Sequence, residues 1–168
     1  RALRRARAFE RLVAFVPSGP LDRARWRARF PTPTGLADVD DAATSFPELN
    51  FVVEHVGLPR LDDFCWIAAQ EPNVYGGLAV AAPMAVHRPR KFGEIMGELL
   101  FWLGEDRLLF GSDYALWNPD WLVDVVMNAE LTEEQRDEYG VELDLETKKK
   151  IMGENAAELY DIDIEAKK

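Results

Sequence analysis

Apolar positions along this chain fall into short continuous runs that alternate with longer stretches at helical spacing. Residues 1–12 hold good helix formers and no breaker, and Leu12-Val13-Ala14-Phe15-Val16 then reads as a short strand stopped by Pro17-Ser18-Gly19-Pro20. Residues 21–35 are biased to Arg, Pro and Thr without a clean period and read as loop. From residue 36 the pattern is regular. A short helix over 36–46 leads through Pro47-Glu48-Leu49-Asn50 into a β-branched strand over 51–55. A helix over 61–70, with Asp62 and Asp63 in the first turn where the helix dipole favours them, precedes a strand over 73–80. A third unit follows, in which Phe92, Ile95, Met96, Leu99, Leu100 and Leu103 share one helical face, Gly104 ends the helix, and a strand over 107–110 runs into Gly111-Ser112-Asp113. Helices over 121–129, 132–139 and 145–159 close the pattern.

Strands alternating with helices of ten or more residues indicate parallel βα units, hence an α/β fold. A complete (β/α)8 barrel takes about 250 residues, so three or four such units amount to roughly half of a TIM barrel. No glycine-rich fingerprint opens any helix, which disfavours a doubly wound nucleotide-binding sheet. The expected organisation is an atypical Arg/Pro-rich segment over residues 1–35 followed by the C-terminal half of a barrel over 36–168.

Composition narrows the partners. The 168 residues are 48% hydrophobic, enough for one ordinary core, and no apolar run reaches the roughly 18 residues of a membrane span. The net charge is −10, but residues 1–30 carry nine arginines against two acids, and the remainder is strongly acidic. An acidic body repels phosphates, so nucleic acid is not expected as a partner, nor is a membrane, and the arginines read as a solvated face or terminus. The one cysteine, in Phe64-Cys65-Trp66-Ile67, reads as a buried thiol suited to a reducing, cytoplasmic setting. A half-barrel leaves sheet edges and an apolar inner face to cover, so a homo-oligomer, or assembly with a missing N-terminal half, is expected. The chain begins at Arg1 instead of Met, and it is expected to be part of a larger protein.

In a parallel barrel the C-terminal strand ends converge on one face, where side chains from several strands reach one substrate. His55 ends one strand and Asp113 another, each followed by turn residues. The carboxylate can bind a cation or act as a base, or it can simply cap a helix; the imidazole can be catalytic or structural. Tyr114 and Trp117 can wall an apolar pocket or pack the last loop, and Arg60 can bind a substrate carboxylate or pair with Asp62 or Asp63. His87, in Val86-His87-Arg88-Pro89, is expected in a loop at the surface or rim.

Four segments together carry a family resemblance: Phe46-Pro47-Glu48-Leu49-Asn50-Phe51-Val52-Val53-Glu54-His55-Val56-Gly57, Pro72-Asn73-Val74-Tyr75, Asp106-Arg107-Leu108-Leu109-Phe110-Gly111-Ser112-Asp113-Tyr114, and Gly153-Glu154-Asn155-Ala156-Ala157-Glu158-Leu159-Tyr160. In order and spacing they resemble the amidohydrolase-related proteins, the branch of metal-dependent hydrolases and decarboxylases that includes aminocarboxymuconate-semialdehyde decarboxylase, over about residues 36–162. The resemblance implies strands six, seven and eight of a TIM barrel and its closing helix, with a divalent metal, zinc or manganese, in the full-length protein. It implies that Asp113 binds that metal and handles a proton of the attacking water, and that His55 polarises substrate or transfers a proton. The family's strand-five histidine would fall near residues 13–19, where this chain has none, and its paired strand-one histidines would lie upstream. Asp113 alone cannot hold zinc, since catalytic zinc sites normally use three protein ligands, so this chain is not expected to retain the metal or to be active alone. The alternative from another class is an accessory or scaffold protein that keeps the barrel fold without the metal site.

Overall fold

The structure, a computed structural model, describes residues 12–14, 36–114 and 116–167. Strand β1 (Leu12–Ala14) is followed by α1 (Ala37–Ser45), β2 (Asn50–Glu54), α2 (Leu61–Gln70), β3 (Val74–Gly77), the short α3 (Met84–His87), α4 (Pro89–Leu103) and β4 (Leu108–Leu109). The chain then runs through α5 (Pro119–Asn128), α6 (Glu133–Tyr139), α7 (Leu145–Lys149), a π-helical stretch (Lys150–Glu154) and α8 (Asn155–Leu159). The four strands form one sheet in the order β1-β2-β3-β4, with every pairing parallel. Parallel neighbours in sequence order, joined by helices, are the arrangement of half a TIM barrel. The expected helix over 1–12, the loop over 21–35 and the last two residues of the first expected strand lie outside the described residues.

One face of the sheet meets the helices. Phe51 and Val53 of β2, Val74 of β3 and Leu108 of β4 are buried together with Phe64 and Ile67 of α2 and Ile95, Met96 and Leu99 of α4. That packing is why α4 keeps its apolar residues on one stripe: truncating a side chain such as Leu99 to Ala costs about 2–5 kcal/mol. Alternation sends Val52, Tyr75 and Leu109 to the opposite face. Val52 and Leu109 are nevertheless buried, while Phe110, beyond the end of β4, is half-buried.

Several expected boundaries change. The strand over 73–80 stops at Gly77, and Leu78–Pro83 turn instead; their apolar character is met by burial. The strand over 107–110 shrinks to Leu108–Leu109. His87 lies not in a loop but at the end of α3, exposed as expected. The last helix, expected continuous over 145–159, is interrupted by the π-helical stretch.

Three polar side chains tie the N-terminal ends of the strands together. Asn73 Nδ2 donates to the carbonyls of Ala43, Phe46 and Leu49, at 3.3, 3.3 and 2.8 Å. The Arg107 guanidinium donates to Ala68, Glu71 and Val74 carbonyls, at 2.6, 3.2 and 3.3 Å, and burial pulls its pKa below the ordinary value. Asn155 Nδ2 donates to the carbonyls of Glu105 and Leu108, at 2.7 and 2.8 Å. Most of these carbonyls lie at helix ends and in turns, where a helix leaves its last carbonyls free for side-chain donors.

Candidate active site at the C-terminal ends of the strands

His55 is the first residue beyond β2, opening a 3-10 turn instead of ending the strand as the sequence pattern suggests. His55, Val56 and Gly57 all have positive φ, at 60°, 47° and 71°. A run of left-handed residues reverses the chain tightly, and only Gly57 adopts it without strain. Gly57 is doubly required, because a Cβ there would lie 2.7 Å from Phe64 Cβ. Val56, a β-branched residue that resists this conformation, is held in it by complete burial in the core. The turn holds the imidazole half-buried, and its Nδ1 is shielded from solvent with no hydrogen-bond partner among the described residues. An orphaned buried nitrogen is costly in a purely structural histidine.

Asp113 follows β4 by four residues and repeats the device, with φ of 50° and a half-buried side chain. Its carbonyl accepts from Leu116 N at 2.8 Å, closing a turn that lifts Tyr114 and Leu116 into solvent, 78% and 66% exposed. Of the four non-glycine residues with positive φ among those described, three are thus His55, Val56 and Asp113, directly beyond strand ends. β3 lies between β2 and β4, so the two strands that carry His55 and Asp113 run about 10 Å apart on one sheet.

The other expected site residues divide. Trp117 packs against the small cluster of Ala82, Leu122 and Val126, which is the loop-packing alternative. Tyr114 stays free of that cluster. Arg60 is bound to Asp63 in an exposed ion pair, which is the surface alternative and contributes little to stability. The exposed His87 ring stands 6.2 Å from that of Trp121. Glu54, the last residue of β2, was not singled out from the sequence; its carboxylate lies across Gly77, where a Cβ would come within 2.6 Å of Oε2. Cys65 is no nucleophile: burial first, then Glu98 and Asp62, push its thiol up to about 12.

No group of three His, Cys, Asp or Glu side chains that could hold a metal ion occurs among the described residues. The described residues do not make a metal site by themselves.

The sequence model of the amidohydrolase family matches residues 2–162. No match was found among curated proteins. Among solved structures, an amidohydrolase from Burkholderia multivorans with bound HEPES is 20% identical with a TM-score of 0.55; the alignment covers 76% of this chain and 50% of that one. A zinc-bound form of that amidohydrolase is 21% identical, with a TM-score of 0.55 and coverage of 76% and 49%. A 2,6-dihydroxybenzoate decarboxylase in complex with 2,6-dihydroxybenzoate is 18% identical, with a TM-score of 0.51 and coverage of 90% and 51%. This chain therefore spans about half the length of the solved structures it resembles.

Proposed function

Since this chain belongs to the amidohydrolase family, we propose that it supplies the His55 and Asp113 half of an active site for hydrolysis or non-oxidative decarboxylation of a small carboxylated or aromatic substrate. The observation that carries this reading is the left-handed backbone at both residues just beyond parallel strand ends, a conformation that folding alone does not favour. In a complete barrel a divalent metal, zinc or manganese, would activate water or polarise the substrate. The Asp113 carboxylate takes up a proton from the attacking water in hydrolysis. The His55 imidazole faces developing negative charge and donates or accepts a proton. Tyr114 walls the entrance, and Arg60, once released from Asp63, can meet a substrate carboxylate.

The half-length span supports assembly with a complementary half-barrel or a second copy. The buried single cysteine supports a reducing cytoplasmic setting, and among the described residues no helix is long and apolar enough to cross a membrane. A scaffold without catalysis is the second reading; its specific support is that the chain contains two histidines in all, of which His87 is exposed at the rim. The two separate in an assay of carbon dioxide release from 2,6-dihydroxybenzoate, of amine release from amides and of proton release from lactones, by the complete barrel protein supplied with zinc. Turnover that falls by about a hundredfold or more in Asp113→Asn, as loss of a proton-handling group does, supports the enzyme. Turnover unchanged in that variant removes Asp113 from the mechanism, and a correctly folded, zinc-loaded protein that turns over none of them favours the scaffold.

A further inference from the structure

In the sheet register Glu54 of β2 stands beside Gly77 of β3, and Gly77 beside Leu109 of β4, so one row of residues crosses three strands. Val53, the residue before Glu54, packs among the helices, and alternation turns Glu54 to the opposite face, the one that lines the interior of a barrel. The middle place of the row has no side chain, and the Glu54 carboxylate occupies it. Its Oε2 lies 2.6 Å, and its carboxyl carbon 3.1 Å, from the position of a Cβ on residue 77. A side chain at that position would therefore push the carboxylate off β3.

The carboxylate thus leans from the C-terminal end of β2 onto the strand that separates those carrying His55 and Asp113. Glu54 is exposed and makes no hydrogen bond or ion pair among the described residues. Arg60, which follows in the same connection, is held by Asp63 instead. The unneutralised charge is felt at Tyr160, where burial first and Glu54 second push the phenol's pKa above its ordinary value. A carboxylate only accepts hydrogen bonds, so it repels a second carboxylate and takes an O–H donor in a short, strong bond.

We infer that Glu54 is a specificity-determining residue of the proposed site: its carboxylate accepts a hydrogen bond from a hydroxyl of the substrate, and Gly77 keeps the place clear for it. Among small carboxylated or aromatic compounds the site therefore selects those that also carry a hydroxyl, and it rejects the same compound without one. This rests on the catalytic reading for the place of the site, but it is a statement about binding, which turnover does not decide.

An NMR titration of the complete barrel protein tests it, with resorcinol and with 1,3-difluorobenzene, in which fluorine replaces each hydroxyl. The wild type is expected to bind resorcinol at least about tenfold more tightly, and Glu54→Ala to bring the two compounds within about twofold. Gly77→Ala, which displaces the carboxylate without removing it, should narrow the preference in the same direction. Absence of a preference in the wild type, binding of neither compound included, overturns the inference, and that comparison stands even if a variant fails to fold. A preference that survives intact in a folded Glu54→Ala overturns it equally. Asp113-dependent turnover alongside either result leaves the catalytic reading standing, whereas a Glu54-dependent preference without turnover of any substrate removes the catalytic reading and upholds the inference.

Discussion

At the N-terminal ends of β2, β3 and β4, Asn73, Arg107 and Asn155 direct their donors onto backbone carbonyls, eight bonds in all between elements distant in sequence. At the C-terminal ends of the same sheet, His55 and Asp113 sit on left-handed backbone, the His55 Nδ1 is buried without a partner, and Tyr114 and Leu116 stand in solvent. One end is satisfied and the other is strained. On the proposed reading, side chains that stabilise the barrel and side chains that act on a substrate are separated along the strands, as the fold allows, and the family-like segments of the sequence contain both kinds without distinguishing them.

The largest expected effect is at the satisfied end. Arg107→Met keeps the aliphatic stem but leaves three carbonyls without the guanidinium, and a loss of about 3 kcal/mol is expected in urea unfolding. A loss below about 0.5 kcal/mol would mean that water replaces Arg107 freely, and the contrast between the ends would weaken. Next is Gly57→Ala, which combines a φ of 71° with a Cβ placed 2.7 Å from Phe64 Cβ; it should cost about 2 kcal/mol and lower the thermal midpoint. Because Gly57 shapes the turn that carries His55, this variant sharpens the comparison by separating backbone strain from side-chain chemistry.

Cys65 gives a smaller effect that appears only with pH. Its folded pKa is raised from 9.0 to about 12, so the unfolded chain loses the thiol proton first. Stability from this group is fully present below about pH 9 and is lost as pH rises from there toward 12. Once the cost of the truncation is set from the difference at pH 7, the urea midpoint of the wild type should therefore fall relative to that of Cys65→Ala as pH rises above 9. At pH 8 the native thiol should react with a disulfide reagent about a thousandfold more slowly than a free cysteine, as three pKa units imply. Fast reaction would show that α2 opens locally around Cys65.

Helices α2 and α4 were legible because each carries a stripe of apolar residues and ordinary stop signals: α2 spans the residues the pattern predicts, and Gly104 ends α4 as expected. The strands were legible as existing but not in length. Leu78-Ala79-Val80 looks like a continuation of β3, yet Leu78 and Ala79 meet their hydrophobic requirement by being buried beyond the strand's end, which no period distinguishes from a strand. The π-helical stretch has no marker in Lys-Ile-Met-Gly-Glu beyond one glycine, because its register is fixed by bonds to Glu105, Asp106 and Phe110 some forty residues away. His55 and Asp113 were found by position at strand ends and by family resemblance. Their strain was invisible, since neither is a glycine and tertiary packing alone holds them at positive φ. Asn73, Arg107 and Asn155 were read only as letters of those segments; a polar side chain with several donors, set between a helix or turn and an apolar run, was the signal that could have marked them as anchors.

The central claim, that His55 and Asp113 are kept for chemistry at some cost to folding while the opposite end is kept for stability, is tested most directly by the urea midpoints of His55→Asn, Asp113→Asn and Asn155→Ala measured side by side. Asparagine, like histidine and aspartate, is tolerated in left-handed backbone, so the first two substitutions remove the candidate chemical group without disturbing the turn. The account predicts that both leave stability unchanged or raise it by up to about 1 kcal/mol, while Asn155→Ala lowers it by about 2 kcal/mol. A loss of about 2 kcal/mol or more in His55→Asn or Asp113→Asn, matching that of Asn155→Ala, would make those residues structural anchors and contradict it.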